Sequence, residues 1–375
     1  MSAATTPGVS PAPAGKRLRI VFLPRVVTNP YLPSLAAPME RAGHEVAMGP
    51  GGPLLLWRFG PIWRCDVVHV HWPQQYLMGR GWLAALAKSA VFLSLLWLLR
   101  LRGARIAWTA HNLTNHEAVY PRTQWLLTRK LIAASHVVLV HSQACGDAVA
   151  GYFKLRRLGK RGQSKLRAVP HAHYIADYPH SVGRGEARER LGVPADAFTY
   201  LFVGALRGYK GVSELIEAFG KLEALGDPAP RLLIAGKARD DATDRTLRQL
   251  ADHTPGVSYT NAFVEADQMQ FYMAAADVVV LPYRKILTSG TLLLSASFGK
   301  VTIVPDAPTL LDTVDPQAVL PFDRHDPGAL EAALAQAATL RDELPARGDA
   351  GRRAAARWGW DEMAAATLEA YGADA

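Results

Sequence analysis

The chain alternates short apolar runs with stretches of helical spacing. The runs are apolar at nearly every position, which is typical of strands in a parallel sheet that is covered on both faces. Six of them lie in the first half: Leu18–Pro24, the run that begins at Gly43, Asp66–Pro73, Arg105–Asn112, His136–Ser142 and Leu166–Pro170. Five more follow: Thr199–Gly204, Arg231–Gly236, Val257–Thr260, Asp277–Pro282 and Val301–Pro305. The pattern predicts an α/β chain of two successive doubly wound units.

The length of 375 residues is sufficient for two domains of ordinary size. The strand pattern restarts after Tyr178–Arg184, which we interpret as a linker. The first fifteen residues lack the apolar core of a secretory signal. The expected organisation is a flexible tail over 1–15, an amino-terminal domain over 16–180, a carboxyl-terminal domain over 181–355 and a returning helix over 356–375.

Charge is distributed unevenly along the chain. Residues 1–180 carry 22 Lys and Arg against 6 Asp and Glu, a balance of +16, whereas the remainder carries 20 against 27, a balance of −7. Only the first half is therefore expected to be drawn to a polyanionic surface. The two cysteines, Cys65 and Cys145, belong to no metal or redox spacing, which fits a reducing compartment.

Two segments of the first half indicate that this polyanionic surface is a membrane. Trp82–Leu99 is almost wholly apolar and is followed by Arg100 and Arg102. We expect a helix that is partly buried and partly inserted into a membrane interface, with a fully buried helix as the alternative. The basic run Lys154–Arg167 contains few aromatic residues, which argues against nucleic acid. Anionic lipid headgroups are the preferred partner, and a solvated loop is the alternative.

A short helix is predicted between the strands Asp277–Pro282 and Val301–Pro305. Thr288, Ser289 and Gly290 mark its start, and Gly299 marks its end. Either hydroxyl can cap the helix, while Gly290 lets a ligand approach the backbone. Because a helix start at the carboxyl edge of a parallel sheet presents free N–H groups and a positive dipole end, it suits an anion. The segment predicts a diphosphate site; an ordinary capped core helix is the alternative.

A glycine-rich, cationic turn follows the strand Thr199–Gly204. Arg207 and Lys210 are spaced to reach one diphosphate from a single loop. Gly211 ends the turn, and Ser213 is the expected cap of the next helix. The turn therefore predicts a second set of donors for the same anion.

Motifs that together resemble one protein family are spread over nearly the whole chain after the tail. They are Gly43–Val46, Asp66–His71, Phe202–Gly211, Val212–Phe219, Ile234–Gly236, Phe271–Tyr283, Ser297–Val301 and the closing helix at Trp360. In combination they resemble the GT-B glycosyltransferases. The resemblance implies two Rossmann-like domains that face a cleft and a carboxyl-terminal helix that crosses back. The domain over 16–180 would be the acceptor-binding, membrane-facing one. The domain over 181–355 would bind the nucleotide sugar, whose diphosphate Arg207 and Lys210 would hold. It also implies that no metal or other cofactor is required.

The chain departs from the retaining members of that fold. They usually carry two glutamates eight positions apart, and Ile286 and Leu294 stand at those positions here. The loop Thr288–Thr291 is instead similar to bacterial exopolysaccharide transferases related to the inverting β-mannosyltransferases. Three further segments are similar to that group: Leu23–Arg25, Asn29–Tyr31 and His69–Pro73. The resemblance thus implies an inverting transfer, with Arg284, Gly211 and Thr288–Thr291 as further donor-binding residues.

An inverting transfer needs a general base for the acceptor hydroxyl, and the first half has few acidic residues. Glu117 follows the strand that begins at Arg105 and is our candidate base, ahead of Asp147 and Asp177. A solvated loop carboxylate or a helix cap is the alternative for Glu117.

Acceptor or sugar contacts are expected from polar residues near strand ends: His111, Asn112, His71 and His173. Packing inside the fold is the alternative for His71, and hinge packing is the alternative for His173.

The leading hypothesis is a hexosyltransferase that moves a sugar from a nucleotide-diphosphate donor, with GDP-mannose as the best guess, to a lipid-linked glycan in cell-surface exopolysaccharide synthesis. We expect it to be cytoplasmic, attached peripherally to an anionic membrane and without nucleic-acid partners. A catalytically inactive GT-B-shaped partner subunit is the alternative, and a sugar-nucleotide epimerase of the same fold is a further one.

Overall fold

The computed structural model describes residues 16–26, 29–79, 81–114, 120–155, 164–222 and 228–372. Within them, twelve strands form two sheets of six. The strands are β1 (Arg19–Leu23), β2 (Glu45–Met48), β3 (Val67–Val70), β4 (Arg105–Thr109), β5 (Val137–Val140), β6 (Leu166–Ala168), β7 (Thr199–Val203), β8 (Arg231–Ala235), β9 (Val257–Thr260), β10 (Val278–Val280), β11 (Val301–Pro305) and β12 (Val319–Phe322). The strand orders are β2-β1-β3-β4-β5-β6 and β12-β11-β10-β7-β8-β9, and the recorded pairings are parallel.

Helices alternate with the strands. They are α1 (Tyr31–Arg41), α2 (Pro53–Trp57), α3 (Gln74–Leu77), α4 (Trp82–Leu101), α5 (Pro121–Ala134), α6 (Gln143–Tyr152), α7 (Arg184–Leu191), α8 (Val212–Gly220), α9 (Asp241–Asp252), α10 (Ala266–Ala275), α11 (Gly290–Ser297), α12 (Pro308–Leu311), α13 (Ala329–Thr339), α14 (Leu344–Ala355) and α15 (Trp360–Ala370). Inner strands such as β3, β5, β7 and β11 are buried along their whole length, because side chains on both faces of each sheet pack against helices.

The described residues fall into two compact units. The first contains the chain up to Thr109, Lys130–Val138 and the chain from Ala364 onward; the second contains Ala110–Arg129 and Leu139–Met363. Helix α15 therefore begins in the second unit and ends in the first, as the sequence predicted. In the first unit, the hydroxyl oxygen of Tyr371, just after α15, lies 2.6 Å from His69 Nδ1.

The eleven strands expected from the sequence are all present, but the structure adds β12. This strand lies at the edge of the second sheet and pairs with β11 only. Its third residue is Pro321, which has no N–H to donate and is tolerated in a sheet mainly at an edge. The proline makes the segment look like a loop in the sequence, which is why the pattern failed to predict it.

Helix α4 buries one side and exposes the other. Its buried positions, which include Ala85, Phe92 and Leu99, recur at helical spacing. By contrast, Trp82 and Trp97 are 53% and 60% exposed. The alternative of a fully buried helix is therefore wrong. Among the described residues, α4 is long and apolar enough to cross a membrane by length and composition, and one third of its most apolar window is buried.

A buried arginine joins several elements at the amino-terminal end of the second sheet. Arg188 on α7 is 2% exposed and donates to the carbonyl oxygens of Ala197 and Ala275. It also pairs with Asp277 at 2.9 Å, just before β10. Arg184 pairs with the same carboxylate at 2.7 Å. Removing Asp277 would leave the buried Arg188 guanidinium without a carboxylate partner, so these contacts stabilise this end of the sheet. The opposite end carries the candidate site.

Candidate active site

Glycines bring the loops at the carboxyl ends of β7, β8 and β10 into close contact. Gly211 has a φ of +71°, and a Cβ there would overlap the carbonyl oxygen of Pro282. A Cβ on Gly236 would overlap the carbonyl oxygen of Gly204, the residue that follows β7. Only glycine fits such approaches, so the sequence sets the spacing of these loops through its glycines.

Lys210 and Thr291 converge above Gly204. A Cβ built on Gly204 would lie 3.4 Å from Lys210 Nζ and 3.6 Å from Thr291 Oγ1. The Lys210 ammonium also lies 5.6 Å from the centroid of the Tyr283 ring. Burial lowers the pKa of Lys210, and neighbouring Arg207 lowers it further, while Tyr209 raises it. A cation and a hydroxyl thus share one small region, where an anionic oxygen could contact both.

Helix α11 begins beside this pair. Ser289 is its N-cap and accepts a hydrogen bond from Leu292 N at 3.1 Å, which confirms the predicted cap. Thr288 has another role, because its hydroxyl donates to the His111 carbonyl oxygen at 3.0 Å. Helix geometry leaves the N–H groups of Gly290 and Thr291 without carbonyl acceptors inside the helix. The arrangement has the donors and the dipole direction that favour a phosphate.

The two arginines predicted to bind the donor are engaged by protein groups. Arg207 Nη1 donates to the carbonyl oxygens of Leu206 and Lys237 at 2.9 and 3.2 Å. Arg284 forms an ion pair with Glu214. Both arginines nevertheless line one cleft of about 370 Å³ at the start of α8. Lys210, by contrast, lies near Thr291 of α11.

Ser213 is not the cap of α8, contrary to the prediction. The N-cap is Gly211 in the left-handed conformation, and no side chain caps this helix. The tight turn that places Lys210 moves the helix start two residues earlier, so Ser213 lies within the first turn.

Three histidines, His111, His141 and His171, form a row in the second unit. The His111 and His141 ring centroids are 5.4 Å apart, and those of His141 and His171 are 4.9 Å apart. His141 Nδ1 lies 3.0 Å from the Val169 carbonyl oxygen, so this nitrogen carries the proton. Burial lowers the pKa of His141 to about 4, and burial together with His141 lowers the pKa of His171 to about 3. Both rings are therefore neutral at physiological pH.

Sequence reasoning selected His111 from this row. It did not select His141, and from the segment 170–174, which contains His171, it selected His173. His141 directly follows β5, and His171 comes three residues after β6. Their positions after strand ends are the signal that could have identified them, as it identified His111. Asn112 is half-buried next to His111.

His173, which was predicted to contact sugar, packs on the carboxyl-terminal segment. Its backbone N–H donates to the Trp358 carbonyl oxygen at 3.2 Å, and its Nδ1 accepts from Ile175 N at 3.1 Å. Burial lowers its pKa, with Asp177 and Glu362 opposing that effect. Tyr174, the next residue, faces α11 instead.

His71 lies in the core of the first unit. It is 1% exposed, and its ring packs at 4.0 Å from that of His69 and 5.5 Å from that of Tyr31. His69 Nε2 lies 2.7 Å from Thr109 Oγ1. These contacts favour the packing alternative for His71.

The candidate base, Glu117, lies outside the described residues, as do residues 156–163 of the basic run. The two carboxylates ranked behind it have partners: Asp177 accepts from Trp360 Nε1 at 2.7 Å, and Asp147 accepts from Gln143 Nε2 at 3.4 Å. In the part of the chain that the structure describes, no group of three or more His, Cys, Asp or Glu residues is arranged to hold a metal ion.

Comparison with known proteins finds relatives along most of the chain. The family described as Glycosyl transferases group 1 matches residues 197–339, which include Lys210 and α11. A protein named GDP-mannose:glycolipid 4-beta-D-mannosyltransferase, from Xanthomonas campestris pv. campestris, is 27% identical over 314 residues, covering 81% of this chain and 78% of that protein.

Solved structures share the whole fold. Sucrose-phosphate synthase (tll1590) from Thermosynechococcus elongatus has a TM-score of 0.71 at 18% identity, covering 94% of this chain and 98% of that one. Anabaena Alr3699/HepE in complex with UDP and glucose has a TM-score of 0.69 at 14% identity, covering 94% and 100%.

The fold and the sequence relatives agree with each other. Two parallel six-stranded sheets with covering helices are the Rossmann-like architecture of these structures. The family match and the mannosyltransferase relative favour an enzyme over an inactive binding subunit. The chain is therefore a GT-B glycosyltransferase that uses a nucleotide sugar, and it resembles the mannosyltransferases.

Proposed function

We propose that this enzyme transfers a hexose from a nucleoside-diphosphate donor, with GDP-mannose as the leading candidate, to a lipid-linked glycan during cell-surface exopolysaccharide synthesis. The observation that carries the proposal is the convergence of Lys210, Thr291 and the α11 start above Gly204. The relative named for GDP-mannose and a glycolipid supports the choice of donor and acceptor.

The diphosphate is placed at the first turn of α11. Lys210 contributes a cation, Thr291 a hydroxyl, and the free N–H groups of Gly290 and Thr291 contribute backbone donors. Negative charge accumulates on the diphosphate as the bond to the sugar breaks. Donors held in place by the fold stabilise that charge more in the transition state than in the bound donor, which is how they accelerate transfer.

Inversion at the anomeric carbon is the proposed stereochemistry. Leu294 occupies one of the two positions where retaining relatives carry glutamate, and it is 6% exposed within α11, so it cannot replace a carboxylate. Ile286 occupies the other position. A single displacement then needs one base to accept the proton of the acceptor hydroxyl, and Glu117 is the proposed base.

A Glu117→Gln variant tests that mechanism. It retains shape and hydrogen bonding but cannot accept a proton, so transfer should fall about a hundredfold to ten-thousandfold while donor affinity is kept. The anomeric configuration of the product, determined by NMR, is an independent check. Retention of configuration, or normal turnover in the variant, would refute inversion with Glu117 as base.

Attachment to the inner face of the cell membrane is proposed through α4 and α2, which pack together in the first unit. On α2, Leu54 and Leu55 are 72% and 56% exposed, and on α4 Trp97 is 60% exposed. Lys88 and Arg100 are exposed on the same helix pair. Apolar side chains flanked by cations are the combination that favours an anionic lipid surface, where a lipid-linked acceptor would reside.

Thermal unfolding of the purified protein with a panel of nucleotide sugars tests the donor assignment. The proposal expects GDP-mannose to raise the Tm most, since ligand binding to the native state stabilises it by mass action. A larger rise with a UDP-sugar would replace the donor within the same enzyme class. No rise with any nucleotide sugar would contradict the proposed site.

A further inference from the structure

We propose that the Tyr174 hydroxyl is a donor-binding group that contacts the diphosphate at the start of α11, with His171 as its positioning residue. The proposal rests on the proposed function and adds to it a contact from outside the matched family region, which begins at residue 197.

Tyr174 lies directly against the first residue of α11. A Cβ built on Gly290 would be 3.4 Å from the Tyr174 hydroxyl oxygen. Tyr174 is 4% exposed, so its hydroxyl reaches this point from within the protein. A ligand held by the N–H groups of Gly290 and Thr291 would therefore lie within reach of a phenol hydroxyl as well.

The position of Tyr174 is fixed by α11 itself. Its backbone N–H donates to Ser297 Oγ at 2.9 Å, and Ser297 lies two turns further along the same helix. Its ring packs edge-to-face on Trp360 at 5.6 Å and on Tyr178 at 6.0 Å. Because one helix sets both the N–H groups and the tyrosine, the hydroxyl keeps a constant distance from the anion site.

His171 holds the hydroxyl from the other side. His171 Nδ1 lies 2.8 Å from the Ala172 carbonyl oxygen, so Nδ1 carries the proton and Nε2 is an acceptor. The Tyr174 hydroxyl is 3.4 Å from that Nε2, near the upper limit for a hydrogen bond. An anionic phosphate oxygen is a stronger acceptor than a neutral imidazole at this distance. The hydroxyl can thus exchange His171 for the ligand without moving its ring.

The test is nucleotide affinity in a Tyr174→Phe variant, measured by competition with a fluorescent GDP analogue. The probes are GDP, or UDP if the wild-type protein prefers it, and the matching nucleoside without phosphates. Loss of a hydrogen bond to a charged group should weaken diphosphate binding about tenfold while nucleoside binding and the ligand-free Tm stay unchanged. Tyr178→Phe is the matched control, since it removes a hydroxyl from the same aromatic cluster, and it should bind like the wild type.

Gly290→Ala gives a second and independent test. Its methyl group would lie between α11 and the Tyr174 hydroxyl at an ordinary contact distance of 3.4 Å, so the fold accommodates it. We expect a loss of diphosphate affinity at least as large as that of Tyr174→Phe, because the methyl group also stands where the ligand approaches the backbone at the helix start. Diphosphate affinity equal to that of the wild type would show that no ligand enters the space between Gly290 and the Tyr174 hydroxyl.

Unchanged diphosphate binding in Tyr174→Phe, or an equal loss of affinity for diphosphate and nucleoside, would overturn the role of Tyr174 but leave the proposed function intact. A wild-type protein that binds no nucleoside diphosphate would overturn the proposed function, and this contact with it.

Discussion

Lys210 is the residue on which the proposed donor site most depends. Its ammonium lies beside Thr291 and α11, whereas Arg207 and Arg284 are held by backbone carbonyls and by Glu214. Lys210→Ala should lower kcat/KM by an amount that corresponds to a loss of about 2–4 kcal/mol in transition-state stabilisation. The reason is that a preorganised cation acts mainly on the charge of the leaving diphosphate. Steady-state kinetics would measure this, with Lys221→Ala, an exposed lysine after α8, as control. Equal activity in the two variants would refute the assignment.

His141 makes stability sensitive to acid. The pKa of its imidazole is about 4 in the folded protein, against 6.5 for the free group, so the unfolded chain binds more protons between these values. Stability therefore falls as the pH drops from about 6.5 towards 4, and near pH 5 the loss from this group is about 1–2 kcal/mol.

A His141→Asn variant can keep the hydrogen bond to Val169 but cannot be protonated. Between about pH 7.5 and about pH 5 the Tm of this variant should fall less than that of the wild type, the difference being roughly 1–4 °C. Exposed His253 provides the control, because His253→Asn should retain the wild-type sensitivity. An identical pH dependence in His141→Asn and the wild type would argue against a buried neutral imidazole.

Single residues could be predicted from the sequence where local rules decide them. Ser289 is a cap because a hydroxyl precedes a helical run, and that rule needs no tertiary information. Ser213 met the same rule and failed, since the left-handed Gly211 starts the helix first. The position of Tyr174 against α11 was not predicted, because it depends on contacts such as the hydrogen bond from Tyr174 N to Ser297 Oγ, which joins residues 123 positions apart.

At the scale of elements, the turn before α8 depends on Gly211. Gly211→Ala combines a left-handed φ of +71° with overlap on the Pro282 carbonyl oxygen. The backbone conformation alone costs about 1–2 kcal/mol in a residue with a Cβ, so the total loss of stability should exceed about 2 kcal/mol.

The same turn contains its own control. At Gly208 the φ is unstrained and a Cβ would have no atom within 4 Å, so Gly208→Ala should change stability by less than about 0.5 kcal/mol. Thermal unfolding of both variants measures the difference. Equal Tm values would show that the loop adjusts and that its spacing is not set by Gly211.

The helix pair α2 and α4 should attach the protein to membranes. Replacing exposed Leu54 and Leu55 by Ser removes apolar area that would be inserted, so sedimentation with anionic vesicles should weaken about tenfold. Phe263→Ser in the second unit, where Phe263 is 50% exposed, is the matched control. Binding that is unaffected by the leucine changes and by salt would rule out this surface.

Elements were predictable where hydrophobic pattern and secondary structure coincide. The apolar strands and α4 follow from that pattern, but α4 alone could not show which of its faces is covered. Strand β12 was missed because Pro321 interrupts its apolar run. A proline is tolerated there because the strand lies at the edge of the sheet, and only the strand order shows that position.

At the scale of the whole molecule, charge differs between the two halves of the chain. The first 180 residues carry a balance of +16 and contain α4, and the remainder carries −7 and contains Lys210 and α11. This difference supports the proposal that the first half attaches to the membrane and the second binds the donor.

Transfer itself is the most direct test of the account. Purified protein is incubated with radiolabelled GDP-mannose and a lipid extract containing undecorated lipid-linked glycans, and label is then counted in the lipid fraction. The account predicts acceptor-dependent incorporation together with release of GDP, and a loss of both in Lys210→Ala. Labelled lipid formed equally well by Lys210→Ala, or no transfer from any nucleotide sugar by a wild-type protein that binds one, would contradict it.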